Sequence, residues 1–215
     1  MFIYKFKKLN LLFVFNPKCA CSTIKNVINQ IDNNYEIKKY MDVHKYSFSN
    51  TNIKSVMTKY KNCHVIFFIR NPYNRFISGY SKITNKLILK MRFDKSKNIS
   101  ECNKIVNYGK INIKEWGNII VNIKPENLDT HFKPQTYNIQ NLLEHKNIKL
   151  FDIKNLSNLE KYINNLFKID IDIDIHPVYD RKRPYIDSDT MNIIYQYYYD
   201  DFYKLGYTAD DYSNK

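Results

Sequence analysis

Glycine is scarce in this chain, with four residues in 215, and none occurs before Gly79. A Walker-type nucleoside-triphosphate loop needs glycines followed by a lysine between a strand and a helix. The N-terminal region therefore cannot contain such a loop. Proline is also sparse, at six residues, and no repeat or Pro/Gly-rich boundary divides the sequence. At this length we predict a single domain over residues 1–215.

Cysteine and long apolar runs are also limited. Four cysteines do not suggest a disulfide scaffold, because Cys19 and Cys21 are too close for an easy mutual bridge. A zinc site built from the cysteines lacks CxxC or paired-histidine spacing, so no metal is predicted. The first apolar run, residues 11–15, is too short for a signal core or a membrane span. We therefore expect no export signal, no membrane span and a reducing, cytoplasmic location.

The charge is strongly positive. Lys and Arg total 34 against 21 Asp and Glu, which gives a formal net charge of +13. Anionic partners are expected, whether nucleotide phosphates, an acidic polymer or a nucleic acid. Arginine is rare, and four of its occurrences lie at residues 70–75 and 181–183. The planar guanidinium fits a phosphate in a way that lysine cannot, although solvated surface arginines are the alternative.

The hydrophobic pattern alternates between strands and helices. Short apolar runs at 11–15, 64–69 and 148–153 are typical of strands buried on both faces. Helical stripes follow at 22–31, 73–88, 158–167 and 187–205. This order predicts an α/β fold, in which a parallel sheet carries helices on both faces. Ligands of such folds bind beyond the carboxyl ends of the strands.

The first motif, Asn-Pro-Lys-Cys-Ala-Cys-Ser-Thr at residues 16–23, joins the first strand to a helix. Backbone N–H groups at a helix N-terminus converge on anions, and the side chains of Lys18, Ser22 and Thr23 would add donors. A plain strand-to-helix turn capped by Ser22 is the alternative.

The second motif starts where the strand at 64–69 ends in Arg70. Pro72 stands at a helix start, and Ser78 lies two turns along that helix. A Walker-type kinase would place an acidic residue for magnesium at this strand end. Arginine instead predicts direct phosphate contact, with Ser78 sharing the same group. We interpret the nearby Arg75 and Tyr80 as structural.

These motifs resemble those of the PAPS-dependent sulfotransferases, where PAPS is 3′-phosphoadenosine 5′-phosphosulfate. Residues 17–22 resemble the family's 5′-phosphosulfate loop, and residues 70–80 resemble its 3′-phosphate motif, closest to the Golgi carbohydrate sulfotransferases. His-Phe-Lys-Pro-Gln at 131–135 and the ending at 200–207 are similar to two later elements. The resemblance implies a three-layer α/β fold related to P-loop kinases. It also implies transfer of a sulfuryl group from PAPS to a carbohydrate hydroxyl, leaving PAP and using no metal.

The resemblance implies roles for individual residues. Lys18 would contact the oxygen that bridges phosphate and sulfate, and Arg70 and Ser78 would hold the 3′-phosphate. A basic segment at 181–183 matches only in position and charge, and a solvated charge run is the equal alternative. The expected cofactor-binding residues are Lys18, Cys19, Ala20, Cys21, Ser22, Thr23, Arg70, Ser78, Arg181, Lys182 and Arg183. The Golgi relatives carry an N-terminal membrane anchor, which is not predicted here.

Sulfuryl transfer to a hydroxyl also requires a group that removes a proton, and histidine suits this role at neutral pH. His44 falls between the first two motifs, where several relatives place their base. His131 belongs to the later His-Phe-Lys-Pro-Gln element. We predict that His44 is the base and that His131 binds the acceptor or another ligand in the site. The sequence favours His44 over His131 as the base only slightly.

Two other functions compete with this interpretation. A nucleotide kinase on the same fold would need the phosphate loop and magnesium carboxylate that are missing here. A nucleic-acid-binding module is supported by the positive charge and 19 tyrosines, but the aromatic residues follow helical stripes typical of a core. We therefore predict a hydroxyl-bearing acceptor, for which the charge leaves an anionic glycan open, and no nucleic-acid partner.

Overall fold

The computed structural model describes residues 1–33, 53–83, 112–137, 139–173, 175 and 185–212. These residues group into two compact units. The first comprises Met1–Arg70 and Ile139–Asp180, and the second comprises Asn71–Asn138 and Arg181–Lys215. The single domain over residues 1–215 stays a prediction.

The described elements alternate along the chain. The strands are β1 (Phe2–Lys5), β2 (Leu11–Phe15), β3 (His64–Ile69) and β4 (Ile148–Asp152). The helices are α1 (Cys21–Asn33), α2 (Ile53–Lys59), α3 (Pro72–Ile83), α4 (Ile113–Val121), α5 (Gln140–Leu143), α6 (Leu159–Phe167), α7 (Ser188–Tyr197) and α8 (Tyr199–Leu205). Short 3₁₀ turns occupy Pro125–Asn127 and Ile153–Asn158. The α/β class predicted from the sequence is confirmed.

The four strands form one sheet in the order β1-β2-β3-β4. β2, β3 and β4 are parallel, as predicted, and Phe15 of β2 pairs with Phe68 of β3. β1 was not predicted, and it runs antiparallel to β2. The expectation of a fully parallel sheet is therefore wrong. The connection between β1 and β2 spans only residues 6–10, and a parallel pair needs a crossover of a dozen or more residues.

The sheet is the core of the first unit. All five residues of β2 are fully buried, which requires cover on both faces and explains its unbroken apolar run. One face joins a cluster with the apolar stripe of α1, including Ile24 and Val27, and with Leu159 and Ile163 of α6. The predicted three-layer arrangement related to P-loop kinases stays a prediction.

The second unit is helical. α4 packs against α7, and α3 packs against both. Buried side chains of these three helices, among them Phe76, Trp116 and Ile194, form a separate cluster together with Phe202 of α8. None of the described helices combines the length and apolarity needed to cross a bilayer.

The helix predictions are confirmed in position and differ at their ends. The stripe at 187–205 is two helices, because the backbone leaves helical geometry at Tyr198, with φ −100° and ψ 23°. α8 then ends at Gly206, whose φ of 75° is the left-handed conformation that favours glycine at a helix end. The stripe predicted to reach residue 88 runs beyond the described part of α3.

Candidate active site

The loop between β2 and α1 has an unusual backbone. Lys18 and Ala20 have φ values of 72° and 53°, in the left-handed region that non-glycine residues rarely adopt. The Cys19 amide donates to the Asn16 carbonyl at 3.2 Å and closes the turn. Such strained residues cluster in ligand-binding loops, and left-handed residues are a feature of backbone nests that bind anions. This loop therefore has the backbone of an anion site without any glycine.

The N-terminus of α1 follows this loop directly. Its hydrogen-bond ladder begins with Ile24 N–H donating to the Ala20 carbonyl at 3.0 Å. The amides of residues 21–23 precede that bond and lie outside the helical ladder. The first turn contains no acidic residue, so nothing there offsets the positive end of the helix dipole. Cys21, Ser22 and Thr23 are all partly exposed, as an anion contact requires.

The two cysteines of the loop are packing residues. Cys19 is fully buried, and the Cys21 thiol donates to the Asn16 carbonyl at 3.3 Å. Burial raises the pKa of the Cys21 thiol, and the neighbouring amides and the charges of Lys25 and Lys18 lower it by less. The thiol is therefore protonated at neutral pH, which makes it a poor nucleophile.

Arg70 connects the second motif to the first. It follows β3 directly, and its Nη1 donates to the Lys18 carbonyl at 2.9 Å. β2 and β3 are parallel neighbours, so the chain leaves both strands at the same edge of the sheet. The structure thus brings together Lys18 and Arg70, 52 positions apart in the sequence. Arg70 also supports the strained backbone of the loop.

The remaining predicted residues lie elsewhere. Ser78 is partly buried on α3 in the second unit, and that unit is described by itself. His44, Arg181, Lys182 and Arg183 lie outside the described residues. The described ranges contain no group of three or more His, Cys, Asp or Glu side chains that could hold a metal ion. The expectation that no metal is used stays a prediction.

His131 has a carboxylate partner that the sequence interpretation missed. Its Nδ1 lies 2.6 Å from Oδ1 of Asp129, and its backbone N–H donates to the same oxygen at 2.9 Å. Each of these two side chains is 16% exposed. The only sign of this pair in the sequence was that Asp129 and His131 lie two positions apart. The pair has the composition of an oriented histidine base.

Arg75 holds the segment at residues 129–136, which carries His131. It is 2% exposed, and its guanidinium donates from α3 to the carbonyls of Lys133 at 2.8 Å and Thr130 at 3.2 Å. These contacts lie within the second unit and are those of a structural residue. Arg75 therefore fixes the backbone on both sides of His131.

Asp201 of α8 and Tyr198, at the junction of α7 and α8, hold the same segment. The fully buried Asp201 accepts from the amides of Gln135 and Thr136, both at 2.8 Å, and from the Thr136 hydroxyl at 2.7 Å. The buried Tyr198 hydroxyl donates to the Phe132 carbonyl at 2.7 Å. The resemblance had given Asp201 no role.

Phe132 packs the segment into the core of the second unit. Its ring contacts those of Trp116 and Phe76, with centroid distances of 5.3 Å and 5.9 Å. A Cβ atom at Gly79 would lie 2.7 Å from Phe132 Cε1, which is closer than carbon atoms pack. Glycine at position 79 therefore allows α3 to approach Phe132, and the segment becomes a rigid support for His131.

Of three comparisons with known proteins, one found a match. A family model described as the sulfotransferase family matches residues 2–208, which is nearly the whole chain and includes every motif above. Comparisons with the curated proteins and with the solved structures found no match. Because the family model matches nearly the whole chain, the chain belongs to the sulfotransferase family, whose members transfer sulfuryl groups.

Proposed function

We propose that this enzyme transfers the sulfuryl group of PAPS to a hydroxyl of a carbohydrate. The observation that carries the proposal is the hydrogen bond from Arg70 to the Lys18 carbonyl. It joins the two motifs at one edge of the sheet, so that one ligand with two anionic ends could meet both. PAPS is such a ligand, and it would supply a sulfuryl group on a phosphate leaving group.

The residues of the loop fit the phosphosulfate end. The left-handed Lys18 and Ala20 and the amides that open α1 form a cradle for anionic oxygens. The Lys18 ammonium would stabilise charge that develops on the bridging oxygen. The hydroxyls of Ser22 and Thr23 would add donors, and the small Cys19, Ala20 and Cys21 would allow close approach.

The second motif fits the 3′-phosphate. Arg70 lies partly exposed at the end of β3 and carries the five-donor fork that matches phosphate oxygens. Ser78 would donate to the same phosphate, and the basic segment of Arg181, Lys182 and Arg183 would cover the nucleotide. A contact to the 3′-phosphate would distinguish PAPS from ATP.

The acceptor hydroxyl must lose its proton as its oxygen attacks sulfur. His44 and His131 are the two candidates for this base. His131 has the contacts of an oriented base, because Asp129 holds its Nδ1. The net charge of +13 favours acceptors that are themselves anionic, such as acidic polysaccharides.

The first experiment tests the donor. Ligand that binds only the folded protein raises the thermal midpoint, and at 100-fold excess over Kd the stabilisation is about 2.7 kcal/mol. We expect PAP and PAPS to raise the midpoint of the full chain without magnesium, and ATP to do less. Equal stabilisation by ATP that depends on magnesium would contradict the proposal and favour a kinase.

The second experiment tests the acceptor. Radiolabelled PAPS is mixed with the enzyme and with pairs of polysaccharides that differ only in reduced or intact carboxylates. We expect label to enter the polysaccharides, and the acidic member of each pair to accept more. Transfer that is equal within every pair would remove the role of charge, and transfer to no carbohydrate would contradict the proposed acceptor class.

A further inference from the structure

The strongest feature outside the nucleotide motifs is the contact between Asp129 and His131. One carboxylate oxygen, Oδ1, meets both the ring Nδ1 at 2.6 Å and the backbone N–H of His131 at 2.9 Å. The two contacts fix the position of the ring and the backbone that carries it. Both side chains are mostly shielded from water, so competition from solvent for this bond is reduced.

The contact determines which ring nitrogen carries the proton. A carboxylate only accepts hydrogen bonds, and a neutral imidazole has one donor nitrogen and one acceptor nitrogen. Nδ1 faces the carboxylate, so Nδ1 is the protonated atom. Nε2 is then the acceptor nitrogen. The same relation orients the histidine base of hydrolytic triads.

Asp129 contacts the ring directly, and three neighbouring charged side chains bind mainly backbone atoms. Arg75 of α3 directs its guanidinium to backbone carbonyls of the segment. Asp201 of α8 accepts from backbone amides and a hydroxyl. The Lys133 ammonium within the segment donates to the Glu126 carbonyl. These charged groups support the backbone, while the Asp129 contact reaches the imidazole.

We propose that Asp129 is a positioning residue that holds Nδ1 of His131 protonated, so that Nε2 removes the proton from the acceptor hydroxyl. The inference rests on the proposed function and assigns its base to His131 instead of His44. The O–H bond of the acceptor breaks, and its proton binds Nε2. The electron pair of the broken O–H bond forms the new bond from the acceptor oxygen to sulfur. At the same time the bond between sulfur and the bridging oxygen breaks, and the electron pair of that bond leaves with the phosphate.

A purely structural role for Asp129 makes different predictions. Asp129 also closes a local turn by accepting the His131 N–H. Asparagine offers a similar oxygen to that N–H but carries no charge. Asp129→Asn therefore retains the turn and removes the charge next to the ring. If Asp129 only closes the turn, this variant keeps the parent turnover and pH profile.

The kinetic test compares Asp129→Asn with Asp189→Asn, the same chemical change at an exposed position of α7. We expect Asp129→Asn to lower kcat by roughly 10²- to 10⁴-fold, the contribution of a positioned base. KM for PAPS and affinity for PAP stay unchanged. The acidic limb of the kcat profile moves to lower pH, because a nearby carboxylate favours the protonated imidazole. If Asp129→Asn has the kcat of the parent enzyme and the acidic limb of its profile stays at the same pH, the proposal is overturned.

Two further measurements separate this inference from the proposed function. His131→Ala should lose turnover with intact PAP binding; an active His131→Ala beside an inactive His44→Ala would assign the base to His44. Nitrogen NMR of protein labelled with ¹⁵N-histidine, with the His131 signals assigned from His131→Gln, reports which ring nitrogen carries the proton. This measurement does not depend on enzyme activity. A neutral ring protonated on Nε2 would overturn the inference, whereas absence of transfer by the parent enzyme would overturn the proposed function.

Discussion

Two arginines five positions apart show how environment sets the role of a residue. Arg75 is almost fully buried, and its guanidinium binds backbone carbonyls of its own unit. Arg70 is partly exposed at the end of a strand and touches the loop at Lys18. Both guanidinium groups donate to backbone carbonyls and so support the fold. Only Arg70 combines such a bond with partial exposure at a strand end, which is why we propose that it also binds a ligand.

Arg70→Lys tests that distinction. Lysine keeps the positive charge but loses the planar fork that binds two phosphate oxygens together. We expect affinity for PAP to fall by roughly 1 to 3 kcal/mol, the range for a hydrogen bond to a charged group. Titration calorimetry with PAP measures the change, and circular dichroism checks that the variant is folded. A folded variant with parent affinity would remove Arg70 from the nucleotide site.

At the scale of elements, the segment at 129–136 has little regular secondary structure and is held by its neighbours. α3 contributes Arg75, α8 contributes Asp201, and the junction of α7 and α8 contributes Tyr198. Burial raises the pKa of Asp201, while the Arg75 charge and the donors from Gln135 and Thr136 oppose that effect. The segment thus depends on buried polar groups, whose loss leaves donors unpaired.

Asp201→Asn tests this support. Asparagine brings an amide donor to a place where three donors already converge, so at least one of them loses its acceptor. We expect the free energy of unfolding to fall by roughly 1 to 3 kcal/mol, the cost of an unsatisfied buried group. Urea unfolding measures it. Asp200→Asn is the matched control, because that neighbour is exposed and pairs with Lys204, and it should stay within about 0.5 kcal/mol of the parent.

An equal loss in the two variants would contradict this assignment. It would mean that negative charge on α8 matters to stability, and that the bonds from Asp201 to the segment do not.

At the scale of the whole molecule, both units contain tyrosines whose phenol groups are wholly or partly buried. Within the described ranges, burial is the main cause of a raised pKa for Tyr4, Tyr73, Tyr80, Tyr162, Tyr197 and Tyr198. The pKa reaches about 12 for Tyr73 and Tyr197. Tyr4 also donates to Asp32 at 2.7 Å, which further disfavours its ionised form.

This feature predicts unfolding in alkali. The unfolded chain releases tyrosine protons near pH 10, the ordinary value, while the folded chain keeps them until about pH 12 at Tyr73 and Tyr197. The unfolded state then binds fewer protons, so stability is complete below pH 10 and falls as the pH rises towards 12. The part of the tyrosinate absorbance that comes from the shielded tyrosines should appear in the same cooperative step as the loss of the circular dichroism signal. Tyrosinate that forms fully before any loss of structure would contradict the prediction.

The sequence by itself determined three strands and the four helical stretches that became α1, α3, α6 and the pair α7 and α8. It also located the two motifs, whose roles in phosphate binding stay predictions. These features are local, because a buried strand needs a continuous apolar run and a helix needs a stripe that repeats within one turn. The loop at 16–20 could be assigned to a strand-to-helix junction for the same reason. His44 and the segment at 181–183 lie outside the described residues and stay predictions.

Only the tertiary structure decided the rest, because it depends on partners that are distant in the sequence or on local geometry that periodicity does not encode. β1 has no buried run of its own and is defined by pairing with β2. The helix at 187–205 breaks at Tyr198, whose hydroxyl reaches the Phe132 carbonyl 66 positions away. The turn that sets Asp129 against His131 is held by the same long-range bonds. A sequence pattern predicts which residues are buried. The hydrogen-bond partners that buried polar groups require depend on which segments the tertiary structure brings together.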